Sequence, residues 1–223
     1  MTASEKTGGS GAFPVPPRQT PYEQALSLAW ERLRIISDAH LRALGASVGE
    51  DGLLTIQVLG TVVAIDRERG AVEVSGVRAP TQLAVCALHY LSASLPNGAP
   101  PDAGQLVSFN DIPAMRGYYV PYAGRVLGRV TRRFGAEAAE LGDCAAGLGG
   151  RPEPLGDIGY RFDFFPHVPI RLTYFLGDDE FPPEANLLYN ENITALLPPE
   201  DVIVMSELLA ARLCGNQWAE IKH

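Results

Sequence analysis

The run from Ile158 to Asn190, IGYRFDFFPHVPIRLTYFLGDDEFPPEANLLYN, constrains the fold more than any other stretch. Apolar residues alternate through Tyr160, Phe162 and Phe164. They alternate again through Leu172, Tyr174 and Leu176, beyond the break Pro166-His167-Val168-Pro169. A period of two on both sides of a proline-bracketed break predicts two antiparallel strands joined as a hairpin. With two prolines in the break and no Asn-Gly or Asp-Gly pair, the turn is expected to be longer than the two-residue kind. The second strand runs into Gly177-Asp178-Asp179-Glu180-Phe181-Pro182-Pro183, a charged corner closed by an aromatic and two prolines.

The remaining segments supply the elements that cover such a hairpin. Thr20-Pro21-Tyr22-Glu23 is a helix start, with Thr20 as N-cap, Pro21 at the first helical position and Glu23 completing a capping box. One apolar face continues through Leu26, Ala29, Trp30, Leu33, Ile36, His40, Leu41 and Leu44. Ser37 falls on its wet edge, and Gly45 is the expected stop. From Leu53 to Ser75 the period changes to two. Leu54, Ile56 and Val58 oppose Val62, Ala64, Val72 and Val74, which predicts three short strands separated at Gly60 and at Asp66 to Gly70. The first helix is expected to cover the apolar face of this meander.

Pro80 opens a second helical segment to about Ser94, apolar nearly all round and therefore central. In it Cys86 reads as a small core side chain, and His89 as either a buried hydrogen-bonded imidazole or a pocket residue. Leu95 to Gly104 reads as a loop, and Ser108 with Asp111 caps a short turn. Helices are expected over Tyr122–Phe134 and Ala136–Ala146, a short strand over Ala185–Tyr189, and a terminal helix from Pro198. The glycine run Gly147 to Gly150 lacks the Gly-Lys-Ser/Thr ending of a phosphate-binding loop. The fold class expected is α+β: small antiparallel sheets, an N-terminal meander and a C-terminal hairpin, packed against several helices. Residues 1–19 read as a flexible tail, 20–214 as a single α+β domain and 215–223 as a C-terminal tail. The 223 residues suffice for a core without a metal or disulfide staple.

Charge and cysteine usage narrow the function. A net charge of -8 argues against a duplex nucleic-acid surface, which needs clustered Lys and Arg. Cys86, Cys144 and Cys214 are scattered, so neither a disulfide framework nor a self-contained zinc or iron–sulfur centre is expected. No run approaches 18 apolar residues, so no membrane span is expected, and the cytoplasm is the expected location.

Chemistry concentrates in the opening stretch. His167, between Pro166 and Pro169, suits a cofactor contact or proton transfer near neutral pH, set against a plain surface or packing role. Arg161 and Arg171 flank it, one of them placed to pair with the acidic corner. Asp178, Asp179 and Glu180, with Glu184 close behind, admit a structural turn, a ligand surface, or an acid/base or metal site. Tyr118, Tyr119 and Tyr122 offer aromatic and hydroxyl groups to line the same cleft. His167, Tyr118, Tyr119, Arg161, Arg171, Asp178, Asp179 and Glu180 form the expected cofactor-contacting set, with the cofactor itself unspecified.

The segments LGTVVAID, LAVCALHYL, VSFNDIP and GYY with the arginine-rich helix, followed by FFPHVPI and GDDEFP, resemble an uncharacterised prokaryotic domain-of-unknown-function family common in anaerobes. The resemblance runs from Pro21 to Leu213, and the proline-bracketed segment joined to Gly-Asp-Asp-Glu-Phe-Pro is its most specific part. A tryptophan-like residue often precedes that turn in such a family; here Phe175 and Leu176 stand there. Some similar proteins look like neighbours or fusions of iron–sulfur and corrinoid one-carbon proteins. This implies an accessory or cofactor-handling role, with a partner holding any cluster. The expected function is an uncharacterised soluble accessory or small-ligand- or cofactor-binding domain, with a link to anaerobic one-carbon metabolism as what the resemblance implies. Set against it are an enzyme using His167 with an acidic residue of the 178–180 turn, and a structural or interaction module. A small molecule or a partner protein is the expected partner, with the oligomeric state open.

Overall fold

A computed structural model describes residues 20–95, 97–98, 100 and 104–218. The expected 1–19 tail, the Thr20 cap side chain and parts of the Leu95–Gly104 loop lie outside the described residues.

The first sheet is an antiparallel meander in chain order: β1 (Ser47–Val48), β2 (Leu54–Val58), β3 (Thr61–Asp66), β4 (Ala71–Val74) and β5 (Val77–Arg78). Leu54, Ile56 and Val58 face the core as expected, but β3 turns Val63 and Ile65 inward and leaves Val62 51% exposed. The turn decides this. Leu59 and Gly60 both take positive φ (47° and 71°), and the two-residue connection pairs Val58 with Thr61, which sets Ile56 opposite Val63.

The second sheet has the order β6 (Leu106–Ser108), β10 (Glu184–Asn190), β9 (Val168–Phe175), β8 (Ile158–Phe165) and β7 (Arg151–Pro152). The expected hairpin is β8–β9 at its centre, yet its turn is only Pro166-His167, because Phe165 pairs with Val168. A bulge between Asp163 and Phe165 absorbs one residue and sets Pro169 opposite Asp163. Pairing of β9 with β10 reaches only Ile170, so the missing N–H of Pro169 interrupts no bond to that neighbour. The expected short strand is the longer β10, which joins β9 to the edge strand β6.

The single first helix is two. α1 (Thr20–Arg34) ends, and α2 (Asp38–Ala43) restarts on Ser37, whose hydroxyl accepts the His40 N–H at 3.3 Å. Ser37 competes as a cap for a helix that would otherwise run through it. Gly45, at φ 82°, closes α2 as expected. α3 (Thr81–Leu91) is buried along most of its length and packs against both α1 and α7 (Pro199–Leu213). Leu26 and Trp30 of α1 meet Val72 of β4 and Ala84 of α3 around a small gap, which carries the first helix onto the meander.

The helix expected over Tyr122–Phe134 starts earlier. α4 (Tyr119–Tyr122) passes through a wide π-turn (Ala123–Leu127) into α5 (Gly128–Phe134). A buried hydroxyl chain links it to the second sheet and to α7: Tyr122 Oη to Tyr189 Oη at 3.0 Å, and Tyr189 Oη to Ser206 Oγ at 2.7 Å. α6 (Leu141–Ala146) is shorter than expected, since Gly135 and Ala138 take positive φ and hold the preceding residues in turns. The two sheets touch where the Leu59 N–H donates to the Phe164 carbonyl at 3.3 Å, and one apolar cluster runs through both. Past α7 the described residues reach Trp218, and 219–223 of the expected C-terminal tail lie outside them. Trp218 is 6% exposed, with the Arg212 guanidinium 5.0 Å from its ring centre.

Candidate functional site

A carboxylate buried between helices is costly unless a partner takes it. Asp201 is such a group. It lies in the first turn of α7, on the face shared with Met205 and Leu208, and is 5% exposed. Its partner comes from α3: His89 Nδ1 and Asp201 Oδ2 are 2.6 Å apart. One turn earlier on α3, the Cys86 thiol sits 3.9 Å from the Asp201 carbonyl, so α3 and α7 meet along this line. In the neutral imidazole the tautomer that suits this contact carries its proton on Nδ1 and donates to the carboxylate, which makes Nε2 an acceptor; the imidazolium donates from both nitrogens.

Beside the pair opens a cavity of about 230 Å³. Its walls are Arg32 of α1, His89, Ser92 and Ala93 at the end of α3, and residues 194–198 leading into α7. One water needs only ~10–15 Å³ on a comparable measure, so the space is large enough for a small molecule. No carboxylate stands among the lining residues. Ser92 Oγ is buried without a partner, and the Arg32 side chain makes no hydrogen bond or ion pair among the described residues. An imidazole oriented by a carboxylate, with its second nitrogen free, can accept a ligand's hydrogen bond or take up a proton. His89 is thus both the hydrogen-bonded histidine and the pocket residue that the sequence offered as alternatives.

The cofactor-contacting set expected from the sequence is dispersed. His167 is exposed in the hairpin turn, and its N–H donates to the Tyr90 hydroxyl at 3.3 Å. It borders a niche of about 10 Å³ that is lined also by Asn190, whose Oδ1 is buried without a partner. Leu196 lines both this niche and the larger cavity, so His167 lies one side chain away from the His89 site. Asp178, Asp179 and Glu180 lie beyond the opposite end of β9, about 25 Å along the strand at its ordinary rise. The structure therefore brings no carboxylate of that turn to His167.

Asp178 is occupied locally. Its Oδ1 accepts the N–H groups of Phe181 (2.7 Å) and Glu180 (2.8 Å), which hold its carboxyl below the usual aspartate range. Arg161 pairs with Asp163 at 3.0 Å and Arg171 with Glu153 at 2.9 Å, and neither with the acidic corner. The Tyr118 hydroxyl accepts from Arg125 at 2.6 Å, and the Tyr119 ring packs by Phe109 and Tyr122, away from the cavity walls. Cys86 is fully enclosed; burial, then the nearby Asp201 charge, pushes its thiol well up, as befits a core side chain and not a nucleophile.

Sequence reasoning missed Asp201, Arg32 and Ser92 as site residues. The available signal was an acid at a core-facing position of an apolar helix, four and seven residues before Met205 and Leu208. Such a residue requires a buried partner.

A family model described as "Domain of unknown function (DUF3786)" matches residues 38–212. The span includes His89, Ser92, residues 194–198 and Asp201, while Arg32 precedes it. No curated protein and no solved structure matched the chain.

Proposed function

The chain belongs to the DUF3786 family, and on that premise we propose that it is a small-ligand-binding domain whose ligand occupies the cavity beside His89. The observation that carries this reading is the His89–Asp201 pair at the cavity wall. A buried carboxylate spent on orienting one imidazole leaves a defined acceptor facing an open space, which is how polar groups fix a ligand's orientation in a mostly apolar pocket. The unpartnered Ser92 hydroxyl adds a second polar contact. A cavity of this volume suits a molecule of a few heavy atoms and not a corrin ring. In the accessory role that the resemblance implies, a corrinoid or iron–sulfur centre would therefore sit on a partner protein.

The test is a fragment screen read by amide NMR shifts of the full chain. Binding is expected to move signals of residues 89–93 and 194–198, and His89→Gln is expected to weaken the hits by about tenfold, the cost of a well-placed hydrogen bond. Hits that leave those signals still, or that bind the His89→Gln protein equally well, would count against the site.

A second reading, docking to a partner protein, is favoured by the acidic corner. Phe175, Leu176 and Phe181 are 44%, 44% and 67% exposed there, beside Asp178, Asp179 and Glu180.

A further inference from the structure

We infer that the ligand of the His89 cavity is a small carboxylic acid with a hydroxyl or amine close to the carboxylate. Its carboxylate would sit on Arg32 and its donor on His89 Nε2. This rests on the cavity being a ligand site, and adds the chemical class that the site selects.

The charge distribution is the first ground. In a chain with a net charge of -8, the cavity lining carries an arginine and no aspartate or glutamate. The Arg32 side chain holds no carboxylate among the described residues, a state it shares with Arg34, Arg42 and Arg78, but of these Arg32 alone lines this cavity. A guanidinium left without its own counter-ion at a cavity mouth presents the forked donor geometry that matches a carboxylate. Asp201 is committed to His89 Nδ1 and is not among the lining residues.

The polarity of the imidazole is the second. In the neutral imidazole, with Nδ1–H given to Asp201, Nε2 accepts, and the ligand group that meets it donates. A hydroxyl or an amine meets that requirement; a bare anion such as acetate or sulfate does not. Ser92 lines the cavity too, and a rotation about its Cα–Cβ bond would turn its unpartnered hydroxyl, which can donate or accept, toward either end of the ligand. One cation and one acceptor in one small cavity thus specify a hydroxy acid or amino acid over a simple anion or a neutral polyol.

Matched probes separate the claims: glycolate and lactate, their neutral amides glycolamide and lactamide, and methoxyacetate, which keeps the carboxylate but lacks the donor. Each is titrated into the full chain by calorimetry, with NMR locating the shifts. The hydroxy acids are expected to bind at least about tenfold more tightly than their amides and than methoxyacetate. Arg32→Gln, a change at an exposed helix position, is expected to bring the acids down to the amides. If amides bind as well as acids, if methoxyacetate equals glycolate, or if Arg32→Gln keeps the preference, the inference is overturned while the cavity stands as a ligand site. If neither these probes nor a neutral fragment set shifts residues 89–93 and 194–198, both the inference and the ligand-site reading fail.

Discussion

Asp201 and His89 are 112 residues apart, and each stands out in its own helix for being polar where its neighbours are buried. Deleting the carboxylate with Asp201→Ala leaves the His89 N–H facing a buried gap and is expected to cost about 1–3 kcal/mol in urea unfolding. Asp201→Asn, which keeps an acceptor, should cost less. Equal stabilities for wild type and the alanine variant would mean that the pair contributes nothing to the fold. Asp178 gives a pH signature of the opposite, surface kind. Its folded pKa is depressed by the Phe181 and Glu180 N–H groups. Its contribution is therefore fully present above the ordinary aspartate value of about 3.9 and is lost as pH falls through the lower, folded value. Carboxyl-detected NMR should place the Asp178 midpoint below that of an unstructured aspartate; a midpoint at the ordinary value would contradict the turn geometry. Legibility at this scale was uneven. His89 and its two possible roles could be read from an apolar helix, but its partner could not, because nothing local marks which distant acid closes on a given imidazole.

Elements were more legible than their ends. The period-two runs became β2, β3, β4, β8 and β9, and the apolar periodicity became α1 with α2, α3 and α7. What the periodicity did not resolve were choices made by single bonds and turns: the Ser37 cap that divides the first helix, the Leu59-Gly60 turn that sets the β3 register, and the bulge that shortens the β8–β9 turn. Two of the helix and turn contacts have measurable consequences. Ser37→Ala removes the α2 cap and is expected to cost about 1 kcal/mol by thermal or urea unfolding. Gly45→Ala strikes harder, because the backbone sits at φ 82° and an added Cβ would lie 2.7 Å from Pro166 Cβ in the hairpin turn. Strain and displacement together are expected to cost about 1–3 kcal/mol, with shifts at His167 as well as in α2. A Gly45→Ala protein as stable as wild type, with an unmoved turn, would mean that the α2 end and the hairpin turn are not in contact.

The whole molecule places its cavity where α1, the end of α3 and the approach to α7 converge, and the acidic corner at the far end of the central hairpin. We propose that the chain unfolds as the single domain expected from its sequence, because one apolar cluster holds residues of both sheets, with Trp30 in α1 and Trp218 beyond α7 both in it. Tryptophan fluorescence of the Trp30→Phe and Trp218→Phe proteins should then report one shared unfolding midpoint once each variant's own stability is referenced to circular dichroism. Two separated transitions within one protein would divide the domain. The central claim concerns the cavity, and crystals of the full chain soaked with small hydroxy acids and neutral fragments test it most directly. The account predicts ligand density between Arg32, Ser92 and residues 194–198, with a donor atom within about 3 Å of His89 Nε2. An empty cavity in crystals that hold the same compounds elsewhere, at the His167 turn or on the acidic corner, would contradict it.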